Sequence, residues 1–239
     1  MGIILKREKR RHFLLSVIYR LSKLPFLKQK TKFKLFLDLE WIFDRLAHEK
    51  SFKLYSANKH PIRLFTTDFI FQYLTPEQTV LDLGCKYGDI AYILAEKAKK
   101  VVGIDFNAVA IETAKTLYAK SNLVFEVGDA LHFLEKNTEK FDVLILSHIL
   151  EHLDNPKELI IDFKPFVEYM YIEVPDFDKS YLNHYRKDFK FDLIYTDTDH
   201  VAEYDRIEMV QLLKECKLEI IASEYRFGLQ KHWCKVTTL

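Results

Sequence analysis

Short apolar runs alternate with amphipathic stretches over the C-terminal three quarters of the chain. This alternation predicts strands joined by helices, which is the pattern of a mostly parallel sheet covered by helices on both faces. The predicted strands lie near residues 79–83, 101–105, 123–127, 141–147, 168–174, 218–226 and 231–237. The predicted helices lie near residues 89–99, 108–119, 157–164 and 206–216. No helical pattern separates the last two strands, so we expect them to pair as an antiparallel hairpin.

The first 64 residues follow a different pattern and predict a basic helical extension to a domain spanning residues 65–239. Apolar residues recur there at helical spacing; these are Phe13, Leu14, Val17, Ile18 and Leu21. The predicted elements are, in chain order, an amphipathic helix ending near Pro25, a helix over residues 36–50, an irregular stretch over 51–63 with Pro61 as a breaker, and a short helix over 68–74.

A turn with two glycines follows the first predicted strand of the domain. Val80–Leu83 are apolar or strand-compatible, Gly84 and Gly88 come next, and a helical pattern begins near Ile90. Strand, glycine turn and helix bring backbone close to nucleotide-like ligands, because glycine adopts angles that side chains forbid. A tight turn in any α/β fold could use the same glycines.

The second predicted strand ends in an acid, Asp105, which lies 21 residues beyond Gly84. An acid at this strand tip can accept hydrogen bonds from both hydroxyls of a ribose, which predicts a cofactor containing adenosine. The alternative is that Asp105 caps the helix that starts near Ala108. The spacing along the chain favours the ribose.

Four segments together resemble the motifs of the class I S-adenosylmethionine (SAM) dependent methyltransferases. They are VLDLGCKYGDIA (residues 80–91), VVGIDFN (101–107), FEVGDALHF (125–133) and FDVLILSHILEHL (141–153). The resemblance covers residues 65–239 and implies an α/β fold: a Rossmann-like three-layer sandwich with a seven-stranded, mostly parallel sheet and an antiparallel C-terminal hairpin. A nicotinamide-binding domain would show a G-x-G-x-x-G turn, whereas this turn is G-x-x-x-G.

The resemblance implies SAM as cofactor and assigns residues to its parts. Gly84, Lys86 and Gly88 should surround the methionine part, and Asp105 should hold the ribose. The remaining cofactor residues are expected to be Asp82 at the end of the first strand, Phe106 along the adenine, Asp129 and Ala130 at the adenine amino group, and Ser147 beside the methyl-transfer site. Asp129 could instead be a turn residue after Gly128. Lys86 stands where the family commonly has glycine, and its side chain could point to solvent, reach the cofactor or weaken its binding.

The end of the fourth strand faces the reacting methyl group in this family. His148 or His152 could therefore be the general base, with Glu151 orienting a histidine. Alternatively, Glu151 and His152 only cap the opening turn of a structural helix. His200 could close over the acceptor or be a loop histidine satisfied by backbone, and Glu173 is a further possible acceptor ligand or base.

Two other features bear on the acceptor. Glu151, Asp154 and Asp176 could hold a divalent ion, but their spacing is uninformative, so no metal site is predicted. Residues 176–200 are too polar for core and rich in aromatics, and we expect this segment to cover the acceptor. Its candidate contacts for a sugar ring or phosphate are Tyr181, His184, Tyr185, Arg186 and Phe189, which could also pack against the sheet edge.

The net charge of +1 is unevenly distributed. Residues 1–34 contain eleven Lys or Arg and one acid, Glu8, which gives +10 and leaves −9 for the rest of the chain. The basic region could lie on an anionic membrane, bind nucleic acid, or pack on the domain or in a homodimer. Nucleic acid is the least favoured, because the rest of the chain would repel it.

Three isolated cysteines without a C-x-x-C pair fit a reducing cytoplasm. We therefore expect a cytoplasmic enzyme, with peripheral contact at the inner membrane face through residues 1–34 as an alternative. The expected reaction is O-methylation of a carbohydrate or phosphorylated precursor in capsule or lipopolysaccharide biosynthesis, by analogy only. The alternatives are a quinone or other lipid-like acceptor, or a non-catalytic Rossmann-like binding module.

Overall fold

The computed structural model describes residues 13–23, 25–129, 133, 139–191, 194, 197 and 199–237. Ala130, expected at the adenine, lies outside the described residues. The chain falls into two compact units, Met1–Leu46 and Ala47–Leu239.

The second unit is built on one sheet, to which the described residues contribute seven strands. The strands are β1 (Thr79–Leu83), β2 (Lys100–Asp105), β3 (Leu123–Val127), β4 (Phe141–Ser147), β5 (Val167–Pro175), β6 (Leu218–Arg226) and β7 (Leu229–Val236). Their order is β3-β2-β1-β4-β5-β7-β6. Pairs among β1 to β5 are parallel, and β7 runs antiparallel to both β5 and β6. The predicted Rossmann-like sheet with a C-terminal hairpin is confirmed.

The described residues also form eight α-helices. They are α1 (Phe13–Ser22), α2 (Gln29–Ser51), α3 (Pro61–Phe71), α4 (Asp89–Leu94), α5 (Ala108–Leu117), α6 (Pro156–Phe163), α7 (Leu182–Phe189) and α8 (Arg206–Glu215). The first lies in the first unit, the second begins there, and the others lie in the second unit. Short 3-10 turns lie at Ala57–Lys59, Leu150–His152, Lys164–Phe166 and Phe177–Lys179. No helix among the described residues is both long and apolar enough to span a membrane.

The prediction that Pro61 lies in an irregular stretch as a helix breaker was wrong. Pro61 is the first residue of α3, where a missing N–H costs nothing because that donor has no partner within a helix anyway. His60 caps the helix, since its Nδ1 accepts from the backbone N–H of Ile62 at 3.3 Å. The domain boundary expected at residue 64 therefore lies inside α3.

Alternation along β4 shows how the sheet buries both faces. Leu144 and Leu146 belong to one apolar cluster, whereas Val143 and Ile145 belong to a second cluster on the opposite side. Successive strand side chains point to opposite faces, so a central strand with helices on both sides is apolar at every position. The core therefore holds the strands in register, and with them the strand ends.

His232 is a buried polar residue in β7. Its Nδ1 lies 2.8 Å from Ser223 Oγ, while Nε2 is buried without a hydrogen-bond partner among the described residues. Burial lowers the pKa of His232 from 6.5 to about 4, and the charge of Asp176 acts in the opposite direction. Protonation in the folded state would bury a charge without a partner at Nε2.

We expect His232 to make the fold less stable in acid. The unfolded chain protonates this residue below about pH 6.5, whereas the folded chain holds it neutral down to about pH 4. Its contribution is complete above the unfolded pKa and is lost as the pH falls towards the folded pKa, by up to about 3 kcal/mol. Urea unfolding across this pH range should show the effect.

The His232→Gln variant should remove that slope, and the difference between the two chains is the quantity to compare. Burial raises the pKa of Asp82 to about 7, so Asp82 contributes a pH dependence of opposite sign in both chains. The same pH dependence in wild type and variant would show that His232 is not responsible.

Candidate functional site

The turn after β1 needs its glycines. Gly84 and Gly88 have positive φ values of +71° and +79°. A Cβ at Gly84 would overlap the side chain of Ile149, and a Cβ at Gly88 would overlap the ring of Phe125. Lys86 also has a positive φ, +49°, which is uncommon for a residue with a side chain. The turn is therefore held in a shape that few sequences adopt.

Asp105, at the end of β2, holds this turn in place. The carboxylate is almost fully buried; Oδ2 accepts from the backbone N–H of Lys86 at 2.9 Å and Oδ1 from that of Asn107 at 2.8 Å. Helix α5 is capped by Asn107, whose Oδ1 accepts from the N–H groups of Val109 and Ala110. The alternative that Asp105 caps α5 is therefore wrong. Each oxygen of a carboxylate has a second lone pair, which leaves capacity for a ligand.

Asp82 lies next to the turn, near the end of β1. Its Oδ2 is buried with no hydrogen-bond partner among the described residues. Burial raises the pKa of this carboxyl to about 7, an effect that the charge of Arg63 opposes. A buried acceptor without a donor at a strand tip fits a cofactor that brings its own hydrogen-bond donors.

Two further predicted cofactor residues, Phe106 and Asp129, lie at the same edge of the sheet. Phe106 is 79% exposed, and Asp129 follows β3 on the exposed surface. Gly128 N–H donates to the backbone oxygen of Asp105, which ties the end of β3 to the end of β2. The tips of the first three strands thus place Asp82, Asp105, Phe106 and Asp129 at the edge of the sheet where the glycine turn lies.

Glu173 organises the tips of β4 and β5. This fully buried carboxylate accepts from three hydroxyls: Ser147 Oγ at 2.7 Å on Oε1, and Thr66 Oγ1 and Tyr171 OH, both at 2.6 Å, on Oε2. Burial alone would raise the pKa of Glu173, but the charge of His148 and the hydroxyls keep it below its ordinary value. This arrangement positions Ser147 and leaves Glu173 little access to an acceptor.

His148 follows β4 in the left-handed region, with φ 57°. Its Nδ1 lies 2.9 Å from Oε1 of Glu151, and its Nε2 lies 3.6 Å from Oε1 of Glu173. The ring is one-third exposed, whereas Glu151 is fully buried, and Oε2 of Glu151 has no hydrogen-bond partner among the described residues. Glu151 therefore orients a histidine, and the alternative that it only caps a helix is wrong, because α6 begins later, at Pro156.

A second histidine and carboxylate pair lies beside the first. Nδ1 of His200 is 3.0 Å from Oε1 of Glu203, and the rings of His152 and His200 meet edge to face at 4.7 Å. Burial would lower the pKa of His200, but Glu203 raises it above its ordinary value. The alternative that backbone satisfies His200 is wrong, since a carboxylate does so.

The metal ligands considered from sequence do not come together. Asp154 is exposed, and Asp176 pairs with Arg206 at 2.7 Å. Glu151 instead has His152 and His200 as neighbours, with one ligand-type atom of each within 4.8 Å of the others.

The predicted acceptor cover contains a 3-10 turn and α7. Tyr181, His184 and Tyr185 have exposed side chains, and His184 Nε2 lies 2.8 Å from Asp178 Oδ1. Arg186 is buried and donates to Asn183 Oδ1 at 2.8 Å. The buried side chains of α7 pack as the alternative expected, whereas contact of the exposed ones with an acceptor stays a prediction.

Sequence reasoning missed three residues of this site, namely Tyr171, Glu203 and Thr66. Tyr171 lies two positions before Glu173 in β5 and shares its face, which strand periodicity could have shown. Glu203 follows His200 at the same spacing as Glu151 follows His148, so a repeated H-x-x-E was a usable signal. Thr66 lies 107 residues from Glu173, and no local pattern connects them.

Comparison with known proteins assigns the family. A family model described as a methyltransferase domain matches residues 74–214. A ubiquinone biosynthesis O-methyltransferase of Histophilus somni is 33% identical over 90 residues, which are 35% of this chain and 38% of that protein. An uncharacterized RNA methyltransferase of Clostridium tetani is 31% identical over 144 residues, 51% of this chain and 31% of that protein. The chain thus spans less than half the length of these relatives.

The fold agrees with a solved structure across most of the chain. Magnesium protoporphyrin IX methyltransferase of Synechocystis, solved with bound SAH, superposes with a TM-score of 0.56 at 14% identity, covering 94% of this chain and 95% of that one. The family match, the sheet order and the glycine turn with its buried acids agree. The protein is a member of the class I SAM-dependent methyltransferases, with SAM as its cofactor.

Proposed function

We propose that this methyltransferase transfers the methyl group to a hydroxyl oxygen of a carbohydrate or phosphorylated precursor used in surface polysaccharide biosynthesis. The observation that carries the O-methylation is His148, a partly exposed imidazole at the tip of β4 whose Nδ1 is held by the buried Glu151. A hydroxyl must lose its proton during methyl transfer, so a positioned base is useful there.

The cofactor residues are proposed from their place at the strand tips. Gly84, Lys86 and Gly88 would line the methionine part, with the backbone of Lys86 set by Asp105. Asp82, Asp105, Phe106 and Asp129 would contact the remaining polar and aromatic parts, and Ser147 would border the methyl group. SAM supplies a methyl group on a positively charged sulfur that is already a good leaving group.

His148 then has a defined task. Glu151 accepts the Nδ1–H, which leaves the lone pair on Nε2 to receive the acceptor's proton. The buried negative charges of Glu151 and Glu173 stabilise the imidazolium that results, in the way a buried carboxylate supports a catalytic histidine. The distance of 3.6 Å between His148 Nε2 and Glu173 Oε1 is too long for a hydrogen bond. Glu173 therefore does not occupy the Nε2 atom that would receive the proton of the methyl acceptor.

The accessible face of the acceptor cover supports a carbohydrate. Tyr181 is 71% exposed, and its ring meets that of Tyr185 edge to face, beside the exposed His184. Tyrosine offers an apolar ring face and a hydrogen-bonding hydroxyl, which matches the mixed surface of a sugar. The segment directly follows β5, whose tip borders His148.

A lipid-like acceptor such as a quinone is the second candidate, and α1 is the observation that favours it. None of its residues is buried, and Phe13, Leu14 and Leu21 are all at least 59% exposed. With ten net positive charges in residues 1–34, such a helix suits an anionic bilayer surface. One relative is named a ubiquinone biosynthesis O-methyltransferase. The predicted exclusion of nucleic acid is not supported, because another relative is named an RNA methyltransferase.

Asp105→Ala should weaken SAM binding by about 2–4 kcal/mol, the loss expected for charge-assisted hydrogen bonds. Titration calorimetry with SAM measures this directly. Asp105→Asn keeps one acceptor oxygen for the turn and should lose less. Thermal unfolding of both variants separates a damaged turn from a lost ligand contact. Unchanged affinity in a folded Asp105→Ala protein would refute the ribose assignment.

His148→Asn should lower turnover at least about tenfold while leaving SAM affinity unchanged, because the base is lost and the cofactor residues remain. Asparagine tolerates the left-handed backbone of this position. Lys217→Asn, at another exposed left-handed position (φ 55°), is the matched control and should keep full turnover.

Turnover is measured with labelled SAM against a panel of sugar phosphates, nucleotide sugars and oligosaccharides, and against a panel of quinols. Label in the carbohydrate panel supports the proposed acceptor, and label only in the quinols overturns it. Full turnover by His148→Asn would show that alignment alone suffices and that His148 is not the base.

Full-length protein should sediment with vesicles of phosphatidylglycerol and phosphatidylcholine but not with phosphatidylcholine alone, and salt should weaken this binding. Each basic residue near an anionic surface contributes about 1 kcal/mol, which ions screen. Combined Phe13→Ser and Leu21→Ser changes should reduce binding, whereas Ile207→Ser, with 78% exposure on α8, should not. Light scattering reports any homodimer. Binding that ignores lipid charge or these substitutions contradicts the membrane role of α1.

A further inference from the structure

Two separate elements bring three ligand-type side chains together beside His148. Glu151 and His152 lie in the 3-10 turn after β4, and His200 lies in the loop before α8. One ligand-type atom of each lies within 4.8 Å of the others. The cluster is distinct from the residues proposed to hold SAM.

The environment of Glu151 indicates a cationic ligand. Its side chain is fully buried, and Oε1 is engaged with Nδ1 of His148. Oε2 is equally buried and has no hydrogen-bond partner among the described residues. Leaving a buried carboxylate oxygen without a donor is costly, and a bound ion is one of the few arrangements that relieve it.

Both histidines are oriented as metal ligands usually are. Nδ1 of His152 lies 3.3 Å from the backbone oxygen of Asp199, and Nδ1 of His200 lies 3.0 Å from Oε1 of Glu203. An acceptor at Nδ1 favours the neutral tautomer whose lone pair is on Nε2. Histidines that bind metals typically donate their other ring N–H to a carboxylate or a carbonyl. Here His200 has the carboxylate of Glu203, and His152 has the backbone carbonyl of Asp199.

Backbone contacts hold the two halves of the cluster together. The N–H groups of Val201 and Ala202 both donate to the backbone oxygen of Glu151, at 2.9 and 3.2 Å. Tyr204 OH donates to the backbone oxygen of Leu150 at 3.3 Å. The loop with His200 is therefore fixed against the turn with Glu151 and His152. These backbone hydrogen bonds are what bring the three side chains together.

We propose that Glu151, His152 and His200 bind a divalent first-row transition metal ion, for which Zn²⁺ is the matching probe. Two imidazole nitrogens and one carboxylate oxygen are a known ligand set of catalytic zinc, whereas Mg²⁺ and Ca²⁺ prefer oxygen ligands throughout. Ligand atoms in a tetrahedral zinc site are about 3.3 Å apart. Side-chain rotations that close the observed spacing complete the site.

Glu203 is a positioning residue for this site, because it acts through His200. Three protein ligands leave a coordination position open, and an acceptor hydroxyl bound there would lose its proton more readily. This use of the ion rests on the proposed function. The existence of the site does not, because the ion can be bound and measured without SAM or acceptor.

The test is binding of Zn²⁺ to the untagged full chain after treatment with a chelator. Calorimetry and elemental analysis should give one ion per chain, and Co²⁺ in its place should show the visible absorption bands of nitrogen and oxygen coordination. Glu203→Gln should weaken affinity by about 10- to 100-fold and shift the Co²⁺ bands. Glu151→Gln and His200→Gln, each of which removes a ligand, should weaken affinity more.

His184→Gln is the matched control, since it removes an exposed histidine that pairs with a carboxylate outside the cluster. It should leave stoichiometry and affinity unchanged. Circular dichroism checks the fold of every variant, and Glu203→Gln remains decisive if a ligand variant unfolds. No stoichiometric binding by wild type, or equal binding by wild type, Glu151→Gln and Glu203→Gln, would overturn the proposal. Either result would leave methyl transfer itself unaffected.

Discussion

The burial of carboxylates at the tips of the parallel strands is the constraint on which this site depends. Asp82, Asp105, Glu151 and Glu173 are each at most 5% exposed, and they lie near the carboxyl ends of the strands β1, β2, β4 and β5 or shortly after them. A buried charge is tolerated only when donors or opposite charges surround it. The loops at this edge of the sheet are therefore shaped by the need to supply those partners.

Three of these carboxylates have different kinds of hydrogen-bond partner, and the kind of partner decides what each carboxylate can do. Asp105 uses backbone N–H groups and so fixes the glycine turn. Glu173 uses three hydroxyls and so fixes Ser147. Glu151 uses the imidazole of His148, whose second ring nitrogen is available to exchange a proton with a ligand. In the proposed function His148 therefore takes the proton, while Asp105 and Glu173 hold the site in shape.

Methyl transfer follows from the family, whereas the acceptor does not. The same fold serves many acceptors, so the acceptor has to be argued from the residues around it. Those residues point in two directions: the exposed tyrosines of the cover suit a sugar, and the exposed apolar face of α1 suits a bilayer. One relative is named a ubiquinone biosynthesis O-methyltransferase and another an uncharacterized RNA methyltransferase, so their names do not agree on one acceptor.

The sequence by itself determined the sheet, the glycine turn and the acids at its edge. Strand and helix periodicities state which side of an element is buried, and parallel strands place their carboxyl ends together. The pair His148 and Glu151 was also accessible, because three residues along the chain is a short distance in any turn. These features depend on residues close together in the sequence, so they can be predicted without knowing how the elements pack.

Only the tertiary structure decided which distant groups meet. Thr66 reaches Glu173 across 107 residues, and His200 joins Glu151 and His152 because backbone N–H groups of its loop donate to Glu151. It also showed that Asn107 caps α5, which leaves Asp105 to the glycine turn, and that Pro61 starts α3. Contacts between remote segments depend on how elements pack, and the periodicity of one element carries no record of its neighbours.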